Sequence, residues 1–138
     1  MTHTEVADLR LSTRIEQASS GSRELDAEIH EAVTSFPARR AGPGWADENA
    51  LVVPVFPGWD ILPAYTTSLD AAMKLVPEGM AWSIGWGQIL PKQAMAAAVI
   101  GHNAKFVGYD ANYDVVARAE AETPALALAA AAMRVRGL

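Results

Sequence analysis

The chain contains no cysteine, which excludes disulfide bridges, cysteine-ligated zinc and thiol catalysis. It also lacks positive charge: 11 lysines and arginines stand against 16 acids, a net charge of −5. Residues 1–48 carry nine acids and five bases, the remainder seven and six, so no basic stripe emerges. The electrostatic term that dominates nucleic-acid affinity is therefore unfavourable, and neither DNA nor RNA is an expected partner. No basic segment followed by an apolar run opens the sequence, so no signal peptide is expected. The longest uncharged apolar stretch, about residues 124–133, is half what a membrane span requires. No membrane partner and an intracellular location follow as expectations.

What is present is ordinary globular composition, half hydrophobic and one-fifth charged, in 138 residues that suit a single domain. Thr2-His-Thr-Glu5 has the capping-box pattern, and Leu11, Ile15 and Ala18 follow at helical spacing, predicting a helix from about Thr4 to Ala18. Ser19-Ser-Gly-Ser22 breaks the chain and offers the cap of a second helix, with Leu25, Ile29, Ala32 and Val33 as its buried stripe. Residues 35–66 hold five of the eight prolines together with Trp45, Phe56, Trp59 and Tyr65, and read as an ordered, irregular excursion. Leu51–Phe56 has strand composition, but Pro54 costs a ladder hydrogen bond and allows an edge strand at best. Thr67-Ser-Leu-Asp70 is a second capping box, leading into a stripe of Leu69, Ala72, Met73 and Val76 that Pro77-Glu-Gly79 ends. Strands are expected over Met80–Gln88, Ala94–Ile100 and Asp114–Glu120, with a loop or extra hairpin over residues 101–113. Thr123-Pro124 starts a last helix running to Arg136. The order predicts an α+β fold: an antiparallel meander of three to four strands packed with N-terminal, middle and C-terminal helices.

Three segments carry a family resemblance. Arg23-Glu-Leu-Asp-Ala-Glu-Ile29, Tyr65-Thr-Thr-Ser-Leu-Asp-Ala-Ala-Met-Lys-Leu-Val-Pro-Glu-Gly79 and Thr123-Pro-Ala-Leu-Ala-Leu-Ala-Ala-Ala-Ala-Met-Arg134 resemble the phage ABA-sandwich domain of small phage and prophage proteins. The resemblance implies an α/β sandwich encoded by a bacteriophage or prophage, and brings no catalytic motif with it. The long excursion before Tyr65 and the long stretch 88–113 depart from the family pattern. The matched motifs themselves read as caps (Ser68, Asp70, Thr123, Pro124) and core (Leu69, Met73, Leu126, Met133).

No nucleophile elbow, phosphate loop or zinc-protease motif occurs, and His3, His30 and His102 sit in no recognisable catalytic pattern. His30 with Asp26 has the i, i+4 spacing of a metal pair, but no second ligand pair accompanies it, and a solvated helix face is the better account. Neither catalysis nor a cofactor is expected. Trp82, Ile84 and Trp86 share one strand face and read as core, with Trp86 the candidate to wall a pocket. Gly85 and Gly87 opposite them leave room for a helix or a second chain. His102, Asn103 and Lys105 next to Tyr109 suit an anionic ligand with flat rings; the alternative is a solvated hairpin tip. The all-apolar run Ala125–Met133 must be hidden on both sides, by the sheet and by a second helix of this chain or of a symmetry mate, and a homo-oligomer is expected. Helix–strand–strand–strand–helix is also the order of double-stranded-RNA-binding domains, but no base precedes Arg134 in the last helix to hold phosphate.

The expected protein is thus a small phage accessory protein that binds rather than catalyses. One concrete form is an oligomeric anti-defence sponge in the host cytoplasm, sequestering a cyclic dinucleotide or cyclised ADP-ribose. Its ligand-binding residues would be Trp86, His102, Asn103, Lys105 and Tyr109, with Arg134 and Arg136 from a neighbouring subunit. The rivals are an inhibitor of a host defence protein using Arg39, Arg40, Trp45 and Trp59, where aromatic and arginine anchors suit a hot spot, and a virion or structural accessory protein.

Overall fold

The computed structural model describes residues 9–87, 95–107 and 110–138, with backbone alone for residues 86–87, 103–107 and 110–114. The elements in chain order are α1 (Leu11–Gln17), α2 (Arg23–Thr34), β1 (Arg39–Arg40), β2 (Leu51–Val55), β3 (Gly58–Ile61), α3 (Leu69–Met73), β4 (Met80–Gly87), β5 (Met95–Val107), β6 (Asp110–Ala121) and α4 (Pro124–Val135). The strands form two antiparallel three-stranded sheets, ordered β1-β2-β3 and β4-β5-β6, so the fold is α+β with helices against a meander. Among the described residues no helix is long and apolar enough to cross a membrane.

The core is built around α4. Thr123 accepts the Leu126 N–H at 3.2 Å and Pro124 occupies the first turn, where its missing N–H costs nothing. Every residue from Ala125 to Met133 is buried. The sheet side of this burial is set by register: Trp82 pairs with Ile100 and Ile84 with Ala98, while Ile100 and Ala98 pair with Ala117 and Ala119. Ala96, Ala98, Ala117, Ala119 and Ala121 thus present methyl groups to the methyl groups of α4, and small side chains on both layers let helix and sheet approach closely. Trp82 and Ile84 are half-buried and pack on this core. The far side of α4 is covered by α1 and α3 of the same chain. Its alanine ridge therefore needs no symmetry mate, and that argument for an oligomer falls away.

Several local expectations are corrected. Residues 9 and 10 are not helical, so α1 starts at Leu11 rather than continuing from Thr4; the Thr2–Glu5 capping pattern lies outside the described residues. In α2 the cap is Ser22 as expected, accepting the Leu25 N–H at 3.1 Å, but Ala32 is exposed while Asp26 and His30 are buried. In α3 the cap is Ser68, one of the expected cap residues, which accepts the Ala71 N–H; Thr67, first residue of the expected capping box, is not the cap. The helix is five residues long and tightens into i→i+3 bonds from Lys74 to Ala71 and from Leu75 to Ala72. That three-residue spacing turns Ala72 and Leu75 inward and leaves Leu69 and Met73 exposed, contrary to their assignment as core. Opposite the tryptophan face, a Cβ built on Gly85 meets nothing within 4 Å, so no described helix packs against it. The stretch after Ile100 is the hairpin alternative: β5 and β6 stay paired to Val107 and Asp110, and because β4 ends at the Met80–His102 pair they continue as a two-stranded ribbon.

The proline-rich excursion is the largest departure, because it contains the second sheet. β2 is its central strand, despite Pro54. Leu62 N–H bonds to Leu51 O at 2.9 Å, which makes Val53–Asp60 and Val55–Gly58 the hydrogen-bonded pairs with β3 and turns the Pro54 nitrogen toward the β1 side. On that side β1 pairs only Arg39 with Val52 and Arg40 with Leu51. The next bonded position in this register would set Pro37 against Pro54, two residues without an N–H, and there the ladder stops.

The methyl-on-methyl packing gives a paired prediction. Ala98→Leu forces a larger side chain between β5 and α4 and should lower stability by about 1–3 kcal/mol. Gly85→Ala, with open space before it, should leave stability within about 1 kcal/mol of the parent. Urea denaturation of both variants checks the pair; equal effects would contradict the packing described.

Candidate functional site

The β1-β2-β3 sheet is an accessory to the sandwich formed by the helices and the β4-β5-β6 meander, and a polar cluster on α2 fastens it there. Asp26, fully buried, accepts the Thr66 N–H at 2.8 Å and the Thr66 hydroxyl at 2.7 Å through Oδ1. The Thr66 hydroxyl in turn accepts the Ser22 N–H at 2.9 Å. Arg23 donates to Asp26 Oδ2 at 2.8 Å and to Leu62 O at 2.6 Å, just past the end of β3. This approach is close enough to require glycine at position 21, where a Cβ would lie 2.3 Å from Thr66 O. One turn along α2, His30 Nδ1 lies 2.9 Å from the Tyr65 hydroxyl. Burial pushes the His30 pKa below 6.5, while burial and the Asp26 charge raise that of Tyr65. Tyr65 is thereby favoured as a phenol and His30 as a neutral imidazole, and the two share one hydrogen bond whose donor is set by the imidazole tautomer. The solvated face expected for Asp26 and His30 is overturned: both point inward and both are committed to residues 62–66 rather than to a metal.

What this cluster holds in place is a surface. Register puts Arg39, Val52, Pro54, Trp59 and Ile61 on one face of the accessory sheet. Val52 is buried, whereas Trp59 and Ile61 are each more than two-fifths exposed. The β2–β3 turn carries Phe56, 98% exposed, before a cis Phe56–Pro57 peptide, and Val55 beside it is half-exposed. The Arg39 guanidinium lies over the Trp59 ring, 3.8 Å from its centroid. Exposed large apolar side chains gathered on one hairpin are the usual mark of an interaction site, whereas scattered ones are not. Trp59, Arg39 and Arg40 were legible as candidates; Phe56, Val55 and Ile61 were missed, although a Pro-Gly turn between two apolar runs was the available signal. Trp45 lies half-buried in the β1–β2 loop.

The residues expected to bind a nucleotide are placed differently. On β4 and β5, Trp86 pairs with Ala96 while His102 pairs with Met80, six residue pairs away. At about 3.4 Å per residue this separates them by roughly 20 Å within one chain, so they do not share a loop. His102 is exposed on β5 where the ribbon begins. The side chains of Trp86, Asn103 and Lys105 lie outside the described residues, as does Tyr109 altogether. Arg134 is committed internally: it pairs with Glu16 and donates to Arg118 O at 2.8 Å, and its hydrogen bond to Glu16 raises its pKa. Glu16 also accepts the Glu120 N–H at 2.9 Å, capping the edge of β6. Arg136 donates to Leu75 O at 3.2 Å. Among the described residues a groove of about 470 Å³ lies beside Arg10 and Glu28 and a cleft of about 420 Å³ beside Thr67 and Thr123, and none of His102, Arg134 and Arg136 lines either.

Two measurements probe the cluster. Asp26→Ala leaves Thr66 and Arg23 without their acceptor and should cost about 3–5 kcal/mol in urea denaturation. For His30, the folded pKa is depressed below the unfolded value of 6.5, so its stabilisation is complete above pH 6.5 and is lost as pH falls through the folded pKa. The denaturation midpoint should drop between pH 7.5 and 5.5, and His30→Gln should flatten that slope; an unchanged slope would place the pH sensitivity elsewhere.

No family model matches this chain, and no curated protein and no solved structure matches it.

Proposed function

We propose that this is a non-enzymatic binding protein that docks onto a protein target through the exposed face and turn of its accessory sheet. The observation that carries the proposal is the nearly complete exposure of Phe56 at the turn of a hairpin whose one face carries the exposed Trp59 and Ile61 and which a buried polar cluster holds in position. Aromatic and arginine side chains around an apolar centre form the composition in which binding hot spots concentrate. The hairpin contributes no large residue other than Val52, Val53 and Leu62 to the buried set, so its outer side chains are free to serve recognition. The resemblance to phage ABA-sandwich proteins supports a phage or prophage origin, and with it a host protein, such as a defence protein, as the target. A nucleotide sponge is the weaker reading, because Arg134 and Arg136 already serve the fold and Trp86 and His102 stand far apart in one chain.

Phe56→Ser and Ile61→Ser should each change folding stability by no more than about 0.5 kcal/mol, since neither side chain is buried. In quantitative affinity capture from bacterial extract, the parent should retain one near-stoichiometric protein that both variants lose by an order of magnitude or more. Retention of the same protein by both variants would overturn the proposal, as would a thermal shift with cyclic dinucleotides that survives both substitutions.

A further inference from the structure

Arg39 stands apart from most arginines of this chain. Arg14, Arg23, Arg118 and Arg134 form ion pairs, and Arg136 holds a carbonyl. Among the described residues Arg39 has no ion pair and no side-chain hydrogen bond, in a chain with five more acids than bases. Asp60, the acid on β3, pairs with Val53 and so belongs to the opposite face. The Asp60 carboxylate is moreover engaged by the Ile61 N–H at 2.7 Å. Among the described residues no carboxylate pairs with Arg39.

Contact with Trp59 restrains this free charge. With its central carbon held 3.8 Å from the centroid of the Trp59 ring, the guanidinium has less rotamer freedom to lose on binding. A fork of parallel N–H donors fits a carboxylate with two bonds at once. The same sheet resists the other common mode of protein docking, strand addition. Asp60 occupies the outward N–H of Ile61 on the β3 edge, and Pro54 presents no N–H on the β1 side. Recognition is thereby directed to the face, through side chains.

We propose that Arg39 is the anion-reading residue of this surface and that the partner is a protein segment presenting a carboxylate beside an apolar side chain. The carboxylate would seat against the Arg39 guanidinium and the apolar group against Trp59, Ile61 and Phe56. The inference rests on the docking role proposed above and adds to it the chemistry of the partner.

The blocked hexapeptides EEFLEE, QQFLQQ and KKFLKK serve as probes, with binding read from the chemical shifts of the Trp59 indole N–H and the Arg39 Nε–H. EEFLEE should bind about tenfold or more tighter than QQFLQQ, and KKFLKK weakest. Arg39→Gln should bring EEFLEE and QQFLQQ to equal affinity while leaving QQFLQQ unchanged. Arg39→Lys should keep part of the preference as a point charge. Arg40→Gln, altering the opposite face, should keep all of it. Equal binding of the three peptides by the parent, a preference that survives Arg39→Gln, or no binding of any peptide would overturn the inference. So would a Trp59 shift produced by phosphatidylcholine–phosphatidylglycerol vesicles and not by EEFLEE, which would make the partner a lipid surface. If Phe56→Ser abolishes capture of the cellular partner while the peptides behave alike, the docking surface stands and only the anion-reading role fails.

Discussion

A single carboxylate joins the two halves of this structure. Asp26 is withdrawn from water, and a charge so placed is tolerable only if every lone pair is used. Its two oxygens receive an amide, a hydroxyl and a guanidinium, two of them from a residue 40 positions away. Arg23 then passes the connection on to the carbonyl that follows β3. Together with the buried Val52, Val53 and Leu62, this arrangement fixes where the accessory sheet sits. Specificity of placement, more than net stability, is what a buried ionic group of this kind supplies.

The two sheets follow opposite rules. In β4-β5-β6 the inward positions are methyl groups against the methyl groups of α4, and the contact is nearly featureless but extensive. In β1-β2-β3 the inner residues are few, and the large side chains face outward. One sheet spends its apolar surface on folding and the other keeps it available. A rigid scaffold with a small, held-out hairpin concentrates recognition on a handful of side chains whose replacement leaves the scaffold intact.

How much of this the sequence declares depends on range. Caps are local, and Ser22 and Thr123 do what their positions suggest, because the hydroxyl reaches an N–H only three residues on. The shared face of Trp82 and Ile84 is local as well, a matter of strand alternation. Asp26 and His30 were read as solvated because their partners, Thr66 and Tyr65, are distant in the chain and a polar pair on a helix has no periodicity that marks it as buried. Pro54 was read as a ladder-breaker because its identity shows a missing donor but not the side on which the donor would have been needed. The nucleotide site depended on Trp86 and the residues after Gly101 coming together, and a strand register, invisible in composition, sends them to different ends of one sheet. The origin of the cover on α4 was undecidable for the same reason: a helix apolar all round announces that it is hidden, without saying by what.

The placement of α4 has a consequence for how the molecule is made. Ribosomes deliver residues in order, and α1, α3 and the β4-β5-β6 meander all leave the exit tunnel before the helix they pack against. Until then the meander has its methyl-lined face uncovered and α1 has only the edge of β6 to lie on, so the nascent polypeptide passes through a hollow stage with its apolar interior accessible to holding chaperones. Assembly of the interior is accordingly a late and concerted event, deferred to the arrival of a dozen residues.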